Sequence, residues 1–293
     1  MPASKRVLVL AAAALSLAGL PLVAQAQDKP AAEADNTFRV CADPNNLPFS
    51  NEAGEGFENK LAELIAGALH EKVAYVWHAQ RRGFIRETLK AKHCDVIMGM
   101  PTQIDMLATT SPYYRSTYVF VSRADRHLDI SSIKDPRLKT LKIGVQVIGD
   151  DGANTPPSHA FAQQGLIDNL VGFTVYGDYR TPNPSARIVK AVENGAVDIA
   201  AVWGPLAGYF AKHSPVPLKV TPITDTEQFK PLIFRYDIAL GVRKGDHALK
   251  AKLEDVLAQK RADIGALLRS YGFPTLPLPV QASQNDGPPQ QTK

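Results

Sequence analysis

The chain has 293 residues, of which 45% are hydrophobic and 21% are charged, with 20 glycines and 22 prolines. This composition is typical of a globular protein and excludes collagen, an extended coiled coil and a wholly disordered chain. At roughly 150 residues per domain the length predicts about two folding units. The formal net charge is only +4, which argues against a nucleic-acid partner.

The N-terminal residues have the pattern of a secretory signal peptide. Lys5 and Arg6 precede an apolar run over residues 7–23, which ends at the small-residue site Ala24-Gln25-Ala26. The alternative is a membrane anchor, but the run is shorter than the roughly 20 residues of a spanning helix. We expect a signal peptide over residues 1–26, cleavage before Gln27 and export of the mature protein. No later stretch is long and apolar enough to span a membrane.

Helices and strands alternate along the rest of the chain. Hydrophobic periodicity predicts strands over 38–42, 73–77, 95–100, 118–122, 142–147, 172–176, 196–202 and 236–242. It predicts helices over 58–69, 84–91, 157–164, 185–194 and 206–212, and one or two more within 246–270. Repeated β-α-β order predicts parallel sheets covered on both faces. The sequence thus predicts two similar α/β units rather than one large sheet.

The C-terminal segment predicts how these units are connected. It is too short for a third domain, so we expect it to return to the first unit. The expected domains are lobe 1 over 38–121 plus 236–276, lobe 2 over 122–235, and a disordered tail over 277–293. Two chain crossings, near Ser122 and Tyr236, would then form a hinge.

Two cysteines follow the leader, Cys41 and Cys94. An oxidising compartment favours a disulfide between them, and both belong to predicted strand regions of the same lobe. Two free thiols are the alternative, because the heights of the two residues along their strands do not follow from the sequence.

Catalytic and cofactor motifs are missing from the chain. It contains no P-loop, HExxH, EF-hand loop or G-x-S-x-G elbow, and its seven histidines lack the short spacing of zinc ligands. We therefore expect no enzyme activity, no cofactor and no metal.

Polar and aromatic residues instead follow the predicted strands, where open α/β sheets bind ligands. Each of them alone also fits a turn or rim residue, but together they describe a cleft between two lobes. The predicted cleft residues are Asp43, Asn45, Asn46, Phe49, Arg81, Arg82, Thr102, Gln103, Tyr113, Tyr114, Arg115, Asp150, Asp151, Arg180 and Trp203.

The order of motifs resembles the extracellular solute-binding proteins of the amino-acid type, family 3. The resemblance rests on residues 38–49, Gly56-Phe57-Glu58, residues 89–99, Ser111-Pro112-Tyr113-Tyr114, Gly195-Ala196-Val197-Asp198 and Arg243-Lys244-Gly245-Asp246. It implies a type II periplasmic binding fold, in which two α/β lobes close on a ligand without catalysis.

Two departures from this family concern the ligand. Gln103 stands where amino-acid binders carry the arginine that forks onto the ligand carboxylate, and no arginine lies between Met98 and Tyr114. Trp203 stands where they carry the aspartate that holds the ligand ammonium. A neutral amide and an indole cannot replace these charges, so the sequence argues against an α-amino acid ligand.

A narrower resemblance is to the MoxJ/XoxJ-like branch, whose members are associated with quinoprotein dehydrogenases. It rests on residues 41–51, 54–60, 80–84, 109–120, 150–157 and 203–209. The resemblance implies a periplasmic accessory protein whose partner is a PQQ-dependent methanol or other alcohol dehydrogenase, its cytochrome c, or both. On this hypothesis Arg81, Arg82, Arg115 and Arg180 would make the cleft basic. The alternative is the binding component of an ABC transporter for a small solute that is not an amino acid.

The mature N-terminus is testable directly. We expect the exported protein to begin at Gln27, because the signal-peptide pattern ends at Ala26. The intact mass of protein purified from the periplasm checks this. A mass that retains residues 1–26 would contradict cleavage and favour the anchor.

Overall fold

A computed structural model describes residues 36–148, 154–175 and 179–278. The predicted signal peptide and almost all of the predicted C-terminal tail lie outside these ranges. The strands are β1 (Thr37–Ala42), β2 (Asn45–Asn46), β3 (Ser50–Asn51), β4 (Lys72–Trp77), β5 (Val96–Pro101), β6 (Ala108–Thr109), β7 (Tyr114–Arg123), β8 (Ile143–Val147), β9 (Leu170–Thr174), β10 (Ile199–Trp203), β11 (Leu218–Pro222) and β12 (Arg235–Val242). The helices are α1 (Phe57–Leu69), α2 (Phe84–Glu87), α3 (Pro156–Gln163), α4 (Arg187–Glu193), α5 (Gly204–Lys212), α6 (His247–Gln259) and α7 (Arg261–Ser270).

Helix α1 shows how the sequence determines a local element. The Asn59 side chain accepts hydrogen bonds from the backbone N–H groups of Gly56 and Asn51, both at 3.0 Å, which satisfies donors at the start of the helix. Buried Leu61 and Ile65 lie one turn apart on the face that packs against the sheet. The helix ends at Leu69, and the next residue, His70, caps it in a left-handed conformation with φ of 58°.

The strands form one connected sheet of ten strands, in the order β4-β1-β5-β12-β7-β10-β8-β9, with β11 paired to β7 and β6 to β12. The pairs β1–β4, β1–β5, β8–β9 and β8–β10 are parallel, whereas β7 and β12 run antiparallel to their partners. The expected parallel pairs are present in each half, but β7 and β12 pair antiparallel, and β7 joins the halves into one sheet, which corrects the expectation of two separate sheets. The α/β fold class is confirmed.

Strand β7 connects the two halves of the sheet. Its residue Thr117 pairs with Arg235 of β12, and the next residue, Tyr118, pairs with Trp203 of β10. The change of partner lies earlier in the chain than the lobe junction expected after residue 121. A strand that stays extended across the junction gives no local signal of where its partner changes, and the lobe boundaries themselves stay a prediction.

Separate apolar cores lie in the two halves. In the first half, Leu61 of α1 packs in one core with Leu240 of β12, Leu253 of α6 and Ile264 of α7. The C-terminal helices thus pack with the first half of the chain. In the second half, one core contains Phe120 and Phe161, and another contains Val189 and Val202. No helix within the described ranges is long and apolar enough to cross a membrane.

The predicted disulfide between Cys41 and Cys94 is confirmed, with the two Cα atoms 5.5 Å apart. It joins the end of β1 to the segment before β5. The next residue, Asp95, accepts hydrogen bonds from Arg39 at 2.7 and 2.8 Å and from Arg243 at 2.8 Å. Burial alone would raise the pKa of the Asp95 carboxyl, but these arginine hydrogen bonds outweigh it and lower the pKa.

We expect the double variant Cys41→Ser, Cys94→Ser to lose about 2 to 4 kcal/mol of unfolding free energy, since the bridge restricts the unfolded chain. The two cysteines are 53 residues apart in the chain, which is a long loop for a disulfide to close. Urea denaturation with and without reductant measures the loss. Reductant should destabilise the wild type and leave the double variant unchanged, and equal midpoints in all four samples would contradict the expectation.

Candidate ligand-binding cleft

A cavity of about 420 Å³ lies between the two halves of the sheet. Strands β1, β5, β8 and β10 reach it with their carboxyl ends, which is the usual position of ligand sites in α/β folds. Among the described residues its lining comprises Asp43, Asn45, Asn46, Phe49, Glu58, Gln80, Gly99, Pro101, Tyr114, Tyr118, Gln146, Thr155, Val175, Tyr179, Pro184, Ser185, Trp203, Leu206, Tyr236 and Ile238.

The structure brings together part of the predicted cleft. Six predicted residues belong to this lining: Asp43, Asn45, Asn46, Phe49, Tyr114 and Trp203. Seven others do not belong to it: Arg81, Arg82, Thr102, Gln103, Tyr113, Arg115 and Arg180. Asp150 and Asp151 lie outside the described residues. The roles of all these residues in ligand or partner contacts stay predictions.

Several predicted cleft residues that do not line the cavity make other contacts or are exposed. Gln103 is exposed in a turn, and the Thr102 amide donates to the backbone carbonyl of Asp237 at 3.0 Å. The Arg115 guanidinium forks onto the Asp237 carboxylate at 2.5 and 2.7 Å. The Arg81 guanidinium lies 4.8 Å from the centre of the Tyr179 ring. None of the four arginines expected to make the cleft basic is among the described lining residues, so the lining does not support a basic cleft.

Asp43 connects several elements at one edge of the cavity. Its buried carboxylate accepts hydrogen bonds from the backbone N–H groups of Asn45 at 2.9 Å and Gln80 at 2.7 Å, and from the Tyr179 hydroxyl. Burial and this hydrogen bond to Asp43 together raise the pKa of Tyr179, which stays protonated and donates. Tyr179 belongs to the second half of the chain, so Asp43 links both sides of the cavity.

Further hydrogen bonds join the same two segments. The Asn45 side chain donates to the Thr181 carbonyl at 2.9 Å and accepts from the Asn183 N–H at 3.1 Å. The Ser185 hydroxyl donates to the Leu47 carbonyl at 2.6 Å. The loop after β1 and the loop before α4 therefore hold one edge of the cavity closed.

Three aromatic side chains, Tyr118, Trp203 and Tyr236, form what we call the aromatic triad. The Trp203 ring lies 5.4 Å from the Tyr118 ring and 5.7 Å from the Tyr236 ring, both edge to face. The backbone N–H of Trp203 donates to the Gln146 side chain at 3.0 Å, which fixes the end of β10. Burial raises the pKa of both tyrosines, so their hydroxyls are neutral at physiological pH.

Glu58 is an acidic lining residue that the sequence analysis did not select. One of its carboxyl oxygens packs against Gly99, whose φ of 69° is a backbone conformation that favours glycine. Within the described ranges its side chain has no hydrogen-bond partner. Burial, and secondly the charge of Asp43, raise the pKa of Glu58 to about 8. The spacing in the sequence could have identified Glu58, because it lies three residues before Leu61 and seven before Ile65 and so shares their inward helix face.

The chemistry of this lining suits binding better than catalysis. Aromatic rings and amide or hydroxyl groups dominate it. Among the described lining residues there is no histidine or cysteine, and the hydroxyl of Ser185 donates to a backbone carbonyl instead of a catalytic base. Across the parts of the chain that the structure describes, no three His, Cys, Asp or Glu side chains converge as metal ligands.

We expect the stability of the wild type to fall between about pH 4.5 and pH 8 because of Glu58, and the variant Glu58→Gln to lack this fall. The raised pKa means that the folded state holds this proton more tightly than the unfolded chain does. The stabilising contribution of the group is therefore complete below its ordinary pKa of 4.5 and is lost as the pH rises through about 8. Relative to the variant, the wild type should lose roughly 3 to 5 kcal/mol of unfolding free energy over this range.

Urea unfolding at a series of pH values measures this difference. The matched control is Glu63→Gln on the same helix, whose carboxylate is exposed and pairs with Lys60 at 3.1 Å. The control should follow the wild-type profile. Parallel profiles for the wild type and Glu58→Gln would show that the Glu58 pKa is not raised.

Comparison with known proteins shows the family of the chain. The model of the bacterial extracellular solute-binding proteins, family 3, matches residues 38–273. The protein MoxJ of Methylorubrum extorquens is 35% identical over 286 residues, which cover 93% of this chain and 95% of that protein. MoxJ of Paracoccus denitrificans is 30% identical over 88% of this chain and 96% of its own length.

A solved structure is also similar to this chain. The crystal structure of the periplasmic binding protein XoxJ from Methylobacterium extorquens AM1 is 36% identical and superposes with a TM-score of 0.68. The match covers 82% of this chain and all of that one. The chain belongs to the bacterial extracellular solute-binding proteins of family 3.

Proposed function

We propose that the protein is a periplasmic accessory factor of a PQQ-dependent methanol or alcohol dehydrogenase system, and that its cleft engages the dehydrogenase or its cytochrome c. In this role the protein binds and does not catalyse. The leader pattern over residues 1–26 and the extracellular family support a periplasmic location.

The observation that carries the proposal is the absence of lysine and arginine among the described residues that line the cavity. An α-amino acid would leave its carboxylate without a cationic partner there, at the cost of desolvating a charge. Trp203 occupies the end of β10, where the resemblance to amino-acid binders predicts the aspartate that holds the ligand ammonium. The two-lobed binding fold is thus present, but the described lining lacks the cationic side chain that the carboxylate of an amino acid needs.

The relatives support the dehydrogenase system in particular. Similarity to MoxJ extends over nearly the whole chain, and XoxJ shares the fold at 36% identity. The branch to which these proteins belong is associated with quinoprotein dehydrogenases, which makes a protein of that system the favoured partner. An aromatic surface such as the triad of Tyr118, Trp203 and Tyr236 also suits the centre of a protein contact.

A second candidate function is capture of a small solute for an ABC transporter. The volume of about 420 Å³ favours it, because small-molecule sites commonly occupy about 300 to 1,000 Å³. The aromatic rings would then contact the solute directly.

A pull-down of the tagged mature protein from periplasmic extract tests the proposal. Mass spectrometry should identify a stoichiometric quinoprotein dehydrogenase or its cytochrome c among the co-eluting proteins. The variant Trp203→Ala should reduce this capture at least tenfold, about 1.4 kcal/mol, because it removes an aromatic contact at the centre of the cleft.

The matched control is Trp77→Ala, which truncates the other tryptophan of the chain. Trp77 stacks on Tyr75 at 4.5 Å on β4 and does not belong to the cavity lining. The control should capture the partner as the wild type does, with melting curves confirming that both variants fold. A pure protein that carries one small solute would instead support the transport receptor, and loss of capture in both variants would contradict a role of the cleft.

A further inference from the structure

The cavity is acidic. Among the described residues its lining contains two carboxyl groups, Asp43 and Glu58, and neither lysine nor arginine. A cationic ligand therefore meets no like charge from the lining, whereas an anionic ligand meets two acidic groups and no cationic partner.

The two carboxyl groups differ in their hydrogen bonds. Asp43 accepts from three donors, the N–H groups of Asn45 and Gln80 and the hydroxyl of Tyr179. Glu58 accepts from no donor within the described ranges, although it lines the same cavity. Glu58 is only partly buried, so its carboxyl group is available to a partner that enters the cavity.

Aromatic rings line the cavity beside these carboxyl groups. The triad of Tyr118, Trp203 and Tyr236 is joined in the lining by Phe49 and Tyr114. Aromatic faces attract an ammonium or guanidinium group within about 6 Å, and tryptophan does so most strongly. Aromatic cages are a usual recognition site for quaternary ammonium groups. A carboxylate beside them adds the attraction of an opposite charge.

We propose that the cleft binds a monovalent organic cation, an ammonium or guanidinium group with no attached carboxylate, through Glu58 and the aromatic triad. The inference rests on the proposed function and deepens it, because it names the group that the partner inserts. The same cation chemistry is offered by a basic side chain of a partner protein and by a free amine. We favour the side chain, because the protein partner is the proposed ligand.

Binding of the cation should release a proton. With a pKa of about 8, the Glu58 carboxyl is mostly neutral at pH 7 and has to ionise to pair with the cation. The other titratable groups that interact with it are Asp43, Tyr75, Tyr113 and Tyr114. Burial raises the pKa of all three tyrosines, so they stay neutral in this range. Affinity should therefore rise with pH up to about 8.

Isothermal titration calorimetry on the full mature protein tests the inference, with n-butylammonium and Nα-acetyl-lysine methylamide as probes. The dissociation constant of each probe should be about fiftyfold higher at pH 6 than at pH 8. Titrations in two buffers with different ionisation enthalpies should show release of nearly one proton at pH 6. The neutral isostere n-butanol and the anion butyrate should bind at least about tenfold more weakly at pH 8.

The variant Glu58→Gln should weaken cation binding about tenfold or more at pH 8 and abolish its pH dependence. Glu63→Gln, the exposed control on the same helix, should bind as the wild type does. If Glu58→Gln does not fold, the proton release measured on the wild type still decides the question. Equal affinity for butanol and butylammonium, or cation binding without proton release, would overturn the inference.

Two further comparisons distinguish a partner side chain from a free amine, and failure of this inference from failure of the proposed function. Tighter binding of the capped lysine than of butylammonium supports a partner side chain, and the reverse order supports a free amine and overturns our preference. Capture of the dehydrogenase without cation binding would refute this inference alone. Cation binding without capture would refute the dehydrogenase role and leave the cation site in place.

Discussion

Strand β7 is the element on which the rest of the structure depends, because it pairs with both halves of the sheet. Tyr114 to Thr117 pair with β12, and the residues after them pair with β10 and β11. Through β12 and β5 on one side and β10 on the other, this pairing places the carboxyl ends of β1 and β10 on either side of one space. The cavity is therefore a product of strand pairing rather than of any single loop. Its aromatic triad comes from β7, β10 and β12, which are the strands at the junction.

Most elements of the fold follow from local sequence pattern. Helix α1 and strands β1, β4 and β5 lie within one residue of their predicted bounds, because periodicity and capping act locally. Helix α2 is shorter than predicted and ends at Glu87, and β11 was not predicted at all. Strand β11 is stabilised by its antiparallel pairing with β7, which is a contact distant in sequence. Pattern reasoning has no access to such a contact.

The candidate site was less accessible to sequence reasoning. Residues directly after a strand, such as Asp43 and Trp203, could be selected because strand ends converge in α/β folds. Glu58 and Tyr236 lie at the start of a helix and of a strand, so this rule passes over them. The arginines were selected by the same rule, but the sequence does not reveal that Asp237 already binds Arg115. Pairing between distant residues decides which charges remain for a ligand.

The placement of the two tryptophans has a consequence for spectroscopy. Trp203 lines the cavity between two tyrosines, whereas Trp77 stacks on Tyr75 at the edge strand β4. The emission of an indole shifts with the polarity and charge around it, so the protein carries an intrinsic optical reporter inside the cleft. The substitution Trp77→Phe isolates that reporter while keeping an aromatic ring on β4. Occupancy of the cleft can then be followed by fluorescence in dilute solution, without labelling the protein or its partner.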